Sequence, residues 1–241
     1  MPWITLELLD FIFRSFSEEP DIRNVILHYT IMMQAAIIEN RDVSYLDAIL
    51  LKDDLPIPVH YDDIKAIPHE DIRLWCLKNA VYQVPTIELI EWIREKIDGR
   101  FAIEIGSGKN GIGKALGILS TDSWLQTDVA IQTLYAAVGQ PTVVPPDYVE
   151  KIDAIEAVNK YRPQVVLGCF ITHKWEEGDT EGNMFGVAEE EIIKQATYIN
   201  VGNRITHRGK HILKVPHQEF QFPWLVSRSM DQSQNVIWEW K

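Results

Sequence analysis

The residues best placed to do chemistry form a short glycine-rich segment that begins with an acid. It reads Glu104-Ile105-Gly106-Ser107-Gly108-Lys109-Asn110-Gly111 and follows an apolar stretch. Glycines at this spacing allow backbone amides to approach a ligand closely at the start of a helix, as nucleotide-binding turns do. The segment is therefore the first candidate for a binding site.

Three nucleotide-binding patterns overlap here. The segment from Gly106 to Gly111 satisfies the GxGxxG pattern of NAD-binding proteins. The segment from Gly108 to Lys114 fits the phosphate loop GxxxxGK, but Ala115 stands where that loop needs a hydroxyl to hold magnesium. The third pattern starts from Glu104, whose carboxylate disfavours a pyrophosphate and favours a cationic ligand such as the amino group of a sulfonium amino acid. We prefer this third interpretation and keep NAD binding as an alternative.

Two further acids follow predicted strands. Asp122 comes after a strand predicted at Ile118 to Thr121, and Asp153 follows a third strand. If the second strand is instead Trp124 to Thr127, Asp128 takes the place of Asp122. Each of these acids can also serve simply as a helix N-cap. Their order, an acid with a glycine turn and then two acids at successive strand ends, favours a ligand site.

Helices and strands alternate from Val84 onward, which predicts an α/β fold with a mostly parallel sheet. A near-continuous apolar run at Val165 to Ile171 is typical of a central strand buried on both faces. A helix is predicted at Ala154 to Tyr161, and two final strands at Phe220 to Val226 and Val236 to Trp240. Residues 84–241 are predicted to form this domain.

The first part of the chain has a different pattern. Apolar residues recur at helical spacing over 9–16 and 22–37, and a further helix is predicted from His69 to Ala80, after a loop through Leu55 to Pro58. Residues 1–83 are therefore predicted to form an N-terminal helical subdomain.

In this order, the glycine turn and the acids resemble the Rossmann-like S-adenosylmethionine-dependent methyltransferases over about 155 residues. The resemblance implies a mostly parallel sheet with an antiparallel last strand, and S-adenosylmethionine as cofactor. It implies that Asp122 binds the ribose hydroxyls and Asp153 the adenine amino group. One departure is Asn110, where the family often has a third glycine. The implied cofactor-binding residues are Glu104, Gly106, Ser107, Gly108, Asn110, Asp122, Asp153, Ala154, Cys169 and Phe170.

The sequence defines the site for the methyl acceptor less clearly than the cofactor site. The segment after the fourth strand lacks the Asn or Asp with two prolines and an aromatic residue that base-methylating members carry there, which argues against adenine or cytosine as acceptor. His173 is the candidate base, because imidazole titrates near neutral pH. Trp175, Tyr82 and Thr86 are candidate contacts, although His173 and Trp175 also fit a structural loop. We expect a small-molecule or protein acceptor, with a methyltransferase-fold sensor or assembly component without turnover as the alternative.

The composition of the chain disfavours some classes of binding partner. A formal net charge of −12 disfavours nucleic acid, which needs clustered cations. The exception is residues 203–214, which form either a solvated basic face or an anion site. The two cysteines lie in separate apolar runs, which disfavours a disulfide framework. No stretch is apolar enough to predict a membrane span, so a cytoplasmic location is expected.

Overall fold

The computed structural model describes residues 41–241 except 138, 178 and 180–181. The helices expected at 9–16 and 22–37 lie outside the described residues. The described strands are β1 Leu51–Lys52, β2 Leu55–Pro56, β3 Ala102–Ile105, β4 Leu119–Asp122, β5 Glu150–Lys151, β6 Val165–Cys169, β7 Thr197–Asn203, β8 Gln218–Phe220 and β9 Asn235–Trp240. The described helices are α1 Asp47–Leu50, α2 Tyr61–Ile64, α3 His69–Lys78, α4 Ile87–Ile97, α5 Gly111–Leu116, α6 Val129–Ala137, α7 Ala154–Tyr161 and α8 Glu189–Ile193.

Strands β3 to β9 form one seven-stranded sheet in the order β5-β4-β3-β6-β7-β9-β8. Strand β9 runs antiparallel to both of its neighbours, and the other strands pair in parallel. This confirms the predicted α/β class with a mostly parallel sheet. The strand order reverses at β3, which lies between β4 and β6. In open α/β sheets, such a reversal leaves a crevice at the carboxyl ends of the strands.

The two faces of the sheet bury alternate residues of the same strands. On one face, Ile103 and Val166 pack with α7, α8 and the two tryptophans of β9. On the other face, Ala102 and Val165 pack against α4 and α5. Because successive strand residues point to opposite faces, strands covered by helices on both sides must be apolar throughout. This explains why β6 reads as a continuous apolar run.

The described part of the N-terminal region has its own apolar cluster, which extends from Val43 to Val84 and includes Trp75. The prediction of helices alone was wrong here, because β1 and β2 form a hairpin where a loop had been predicted. Asp53 and Asp54 form its turn, with φ values of 53° and 59°. Aspartate tolerates this left-handed conformation better than most residues, which allows the tight reversal.

Two other predicted elements differ from the structure. The expected strand at Phe220 to Val226 is wrong, because the strand ends at Phe220 and Pro223 has no amide to continue a ladder. The alternative strand at Trp124 to Thr127 is also wrong, because Leu125–Thr127 is a 3-10 turn. Helix α7 matches its predicted bounds. Among residues described, the helices are all too short or too polar to span a bilayer.

Candidate functional site

A cavity of about 530 Å³ lies at the carboxyl ends of β3, β4 and β6. Its walls come from the glycine turn after β3, the segments after β4 and β6, residues 182–187, and residues 228–230 of the segment before β9. Tyr82 lines it as well. The structure also brings to this cavity the ten residues predicted to bind cofactor, namely Glu104, Gly106, Ser107, Gly108, Asn110, Asp122, Asp153, Ala154, Cys169 and Phe170.

The departure from the glycine pattern at Asn110 does not disturb the turn. Asn110 adopts φ 55° and ψ 39°, a left-handed conformation that glycine adopts readily and that asparagine tolerates. Its side-chain oxygen accepts hydrogen bonds from the Lys114 amide at 3.0 Å and the Ser120 hydroxyl at 2.9 Å. Asn110 therefore supplies the backbone shape of a glycine and also caps α5.

Glu104 lies below the turn and is only 2% exposed. Its Oε2 accepts hydrogen bonds from the Gly113 amide at 3.1 Å and the Ser120 hydroxyl at 3.2 Å. A Cβ at position 113 would come within 2.3 Å of Oε2, so only glycine allows this approach. Burial raises the pKa of Glu104 to about 8, against the hydrogen bonds from Ser120 and Gly113. The expectation of a carboxylate open to the crevice needs correction, because Glu104 lines the cavity from a buried position and carries a proton at neutral pH.

Asp122 ends β4 and lies at the cavity, whereas Asp128 is exposed and does not line it. The Asp122 carboxylate accepts two backbone hydrogen bonds. The Gly108 amide donates to Oδ2 at 2.9 Å, and the Trp124 amide donates to Oδ1 at 2.7 Å. Burial raises the pKa of Asp122, and the two backbone hydrogen bonds oppose this effect. Asp128 instead accepts the Ala130 amide at the start of α6. Of the two candidates for the ribose acid, the geometry therefore favours Asp122.

Asp153 is the N-cap of α7. Its Oδ1 accepts the amides of Ile155 at 2.8 Å and Glu156 at 3.3 Å, so both capping bonds end on the same oxygen. The side chain is nonetheless exposed at the rim of the cavity, beside Ala154. The capping and ligand-binding interpretations are thus compatible, because Oδ2 is the atom left to face a ligand.

Cys169 and Phe170 form the floor of the cavity after β6. Burial, followed by the nearby Glu104 carboxylate, raises the pKa of the Cys169 thiol well above its usual value. The thiol is therefore neutral and inert as a nucleophile. Phe170 has a φ of 55°, which is unusual for a bulky residue, and its amide donates to the Val201 carbonyl. Its ring lies 6.2 Å from that of Tyr82.

His173, Trp175 and Thr86 are not among the residues that line the cavity, so the structure does not bring these three predicted residues to it. The backbone of His173 pairs with Val187, and its buried ring lies 5.0 Å from the ring of His211. Trp175 Nε1 donates to the carbonyl of Asp179. Thr86 is fully buried as the N-cap of α4. The loop after β6 turns away from the cavity after Thr172, which the sequence did not reveal.

The most distinctive cavity residue missed at the sequence level is Arg228. Its guanidinium carbon lies 3.4 Å above the centre of the Tyr82 ring. Burial raises the pKa of Tyr82, but the charge of Arg228 and hydrogen bonds with Tyr135, Gln126 and Arg228 outweigh it, so the pKa lies below its usual 10.0. Arg73 also lines the cavity, and its buried Nε has no hydrogen-bond partner among the described residues. The cavity lining therefore includes two guanidinium groups and a tyrosine whose pKa is lowered.

The basic segment at 203–214 is not a continuous positive surface. His207 and Lys210 are both 2% exposed. Burial lowers the pKa of His207 to about 3, so the ring is neutral. Lys210 Nζ lies 2.6 Å from Glu189 Oε1 inside the protein, and Arg204 pairs with Glu219 at the surface. The segment therefore does not present all its basic groups on one face, because Lys210 is buried in an ion pair and Arg204 is paired at the surface, while Arg208 and Lys214 are exposed.

Comparison with known proteins gives no match to any family model, to any curated protein or to any solved structure.

Proposed function

We propose that this protein is a Rossmann-like S-adenosylmethionine-dependent methyltransferase that acts on a small molecule or a protein side chain. The observation that carries the proposal is the convergence of the glycine turn with Glu104, Asp122 and Asp153 on one cavity. Two of these acids end or follow neighbouring strands of the sheet, and the third lies in the strand between β4 and β6. Three carboxyl groups beside the glycine turn favour a ligand that carries a positive charge and hydrogen-bond donors.

The sheet order supports this proposal over NAD binding. A dinucleotide-binding sheet places its mostly parallel strands in the order 3-2-1-4-5-6, with the last strand at the edge. Here, the last strand, β9, lies between β7 and β8 and is antiparallel to both. An antiparallel last strand is what the resemblance to methyltransferases implies. Glu104 adds a second argument, because a buried carboxyl group below the turn is ionised more easily by an adjacent cation than by an anionic pyrophosphate.

Each acid has a separate role in the proposed complex. Asp122 accepts hydrogen bonds from the ribose hydroxyls, and Asp153 accepts one from the adenine amino group. Glu104 gives up its proton when the ammonium group of the methionine end arrives, because an adjacent cation favours the carboxylate. When bound, the cofactor supplies an electrophilic methyl group on a positively charged sulfur. The protein holds the acceptor in line with that methyl group and excludes water.

The acceptor end favours a substrate with an anionic group. Arg73 and Arg228 both line the cavity, and guanidinium groups bind carboxylates and phosphates through paired hydrogen bonds, which suits an acceptor with an anionic group. Tyr82 replaces His173 as the proposed proton acceptor, because its phenol is in the cavity and its pKa is lowered. An acceptor that keeps its proton at neutral pH would pass it to the phenolate form of Tyr82, which the lowered pKa makes easier to form, and Tyr82 becomes the neutral phenol as the methyl group arrives.

The test is a calorimetric titration of the full-length protein with S-adenosylmethionine, repeated for Asp153→Ala and with NADH in place of the cofactor. We expect saturable binding by the wild type, binding at least about 10-fold weaker in the variant, and no NADH binding. The control is Asp128→Ala, which removes an exposed acid outside the cavity. Unmeasurable binding by the wild type refutes the proposal, and NADH binding supports the alternative.

Turnover is tested separately by mass spectrometry of acidic acceptor candidates incubated with enzyme and cofactor. A mass increase of one methyl group, reduced in Tyr82→Phe with cofactor affinity unchanged, supports the enzyme. Cofactor binding with no methylated product from any acceptor favours a protein of this fold that senses its ligand without turnover.

A further inference from the structure

Three potential metal ligands meet outside the cavity. His173 follows β6, His211 begins the 3-10 turn His211–Lys214, and Asp179 belongs to the segment between β6 and α8. One ligand atom from each lies within 4.8 Å of the others. His211 Nε2 is 2.9 Å from Asp179 Oδ1, and the two imidazole rings are 5.0 Å apart at an angle of 47°. These residues come from three separate elements, so local sequence does not explain their meeting.

The chemistry of the set selects a class of metal ion. Two imidazole nitrogens and one carboxylate oxygen suit Zn²⁺ and similar divalent transition metals, whereas Mg²⁺ and Ca²⁺ prefer oxygen ligands. Tetrahedral zinc with ligand distances near 2.0–2.1 Å places ligand atoms about 3.3 Å apart. The three atoms would therefore move by at most about 1.5 Å relative to one another. The His211–Asp179 pair already has nearly the required separation.

A fourth residue supports the same interpretation. Glu190 Oε1 lies 3.8 Å from His211 Nδ1, on the opposite side of the ring from Asp179. A carboxylate beside the second nitrogen of a metal-bound histidine fixes which nitrogen faces the metal and raises its basicity. The surroundings are protected as well, because His173 is buried and Asp179 and His211 are partly buried.

The position of Asp179 links this cluster to the cavity. Asp179 lies in the segment whose later residues, including Asn183 and Phe185, line the cavity. The segment is also tied to His173 through backbone hydrogen bonds, since the Asn183 amide donates to the His173 carbonyl at 3.0 Å. A metal ion held by His173, Asp179 and His211 would join this segment to the loop after β6 and to the 3-10 turn His211–Lys214.

We propose that His173, Asp179 and His211 bind a Zn²⁺-like divalent transition metal and that the ion fastens Asp179 and the described residues 182–186 at the edge of the cavity. The proposal does not depend on methyl transfer. It assigns His173 to a metal site in place of the acid–base role predicted from the sequence.

The experiment titrates chelator-treated full-length protein with ZnCl₂ by calorimetry. We expect one site per chain in the wild type and affinity reduced at least about 100-fold in His211→Ala and in Asp179→Asn, which keeps the shape of the side chain. The matched control is His60→Ala, because His60 is an exposed histidine 3.6 Å from a single carboxylate, that of Glu88. MgCl₂ should give no signal. Wild-type protein that binds no zinc, or variants that bind it like the wild type, would overturn the proposal.

A second measurement tests the fastening. Proteolysis within 176–186 should slow when zinc is added to the wild type and stay unchanged in Asp179→Asn. Equal slowing in both proteins, or no slowing in the wild type, would refute the link to the segment. Zinc binding with no S-adenosylmethionine binding would support the metal site while the proposed function fails, so the two outcomes are distinguishable.

Discussion

Replacing Glu104 with glutamine should make the stability of this protein much less dependent on pH. The variant keeps the size and shape of the side chain, and its amide oxygen can still accept hydrogen bonds from Gly113 and Ser120. What it loses is the ability to ionise inside the protein. The substitution therefore isolates the cost of a buried negative charge from the packing around it.

The magnitude follows from the pKa of Glu104, which burial raises from 4.5 to about 8. A raised carboxyl pKa means that the folded protein holds a proton that the unfolded chain has released, so stability is present below pH 4.5 and falls as the pH rises toward 8. The loss is about 1.4 kcal/mol per pH unit, or about 5 kcal/mol over the whole range. Relaxation and water penetration make this an upper figure.

The assay is urea unfolding of wild type and Glu104→Gln at pH 5, 6, 7, 8 and 9. The free energy of unfolding of Glu104→Gln minus that of the wild type should increase with each step up to pH 8. Above pH 8 this difference should stay constant. Asp128→Asn, which changes an exposed acid, should follow the wild type at every pH. If the two curves for wild type and Glu104→Gln are parallel between pH 5 and 9, the buried-charge argument is wrong.

The same group should report on ligand binding. At pH 7, a carboxyl group with a pKa near 8 is about nine-tenths protonated. If the ammonium of S-adenosylmethionine displaces that proton, binding at pH 7 releases close to one proton per site. Calorimetry in buffers of different ionisation enthalpy measures this release, and Glu104→Gln should show none. Equal proton release by both proteins would show that the proton comes from another group.

Three further substitutions test other parts of the structure. Asp122→Asn should weaken S-adenosylmethionine binding by about 10- to 100-fold in a titration, because a hydrogen bond to a charged group contributes about 1.5–3 kcal/mol, while Asp128→Asn should leave it unchanged; equal effects would remove Asp122 from the site. Gly113→Ala should lower the free energy of unfolding in urea by about 2 kcal/mol or more, since its methyl group would collide with buried polar atoms; wild-type stability would show that the turn relaxes freely. Lys210→Met should destabilise the protein by about 3–5 kcal/mol in the same assay by leaving Glu189 unpaired in the interior, and adding Glu189→Gln should recover much of the loss; a double variant no more stable than the single one would contradict this account.

The parts of the fold set by local pattern could be predicted from the sequence. Helix α7 follows from Asp153 as a cap and an apolar stripe behind it, and both lie within a few residues. Strand β6 follows from its continuous apolar run, because helices cover both faces of the sheet. The hairpin at 51–56 could not be predicted in this way, since it depends on two aspartates that adopt a left-handed conformation and on packing against the rest of the N-terminal cluster.

In the candidate site, too, some residues could be predicted from the sequence and others could not. The glycine turn and the acids at the strand ends lie where parallel topology brings the carboxyl ends of strands together. Arg228 carries no local signal, because it reaches Tyr82 from 146 positions later in the chain through the backbone pairing of Gln83 with Ser227. His173 was assigned to the cavity from its place after β6, but the direction of the loop depends on its pairing with Val187. Pairing between residues so far apart in the chain leaves no periodic pattern in the sequence, so these positions could not be predicted from it.

The strand that occupies the gap between β7 and β8 is the last of the nine described strands to be synthesised. Until it emerges from the ribosome, β7 has an open edge, β8 has no partner strand, and the core lacks Trp238 and Trp240. The sheet therefore stays incomplete until β9 pairs with β7, and β8 can join the sheet only by pairing with β9. Chaperone protection during this interval, and a sharp rise in protease resistance once residue 240 is free, are the expected signs of that order of assembly.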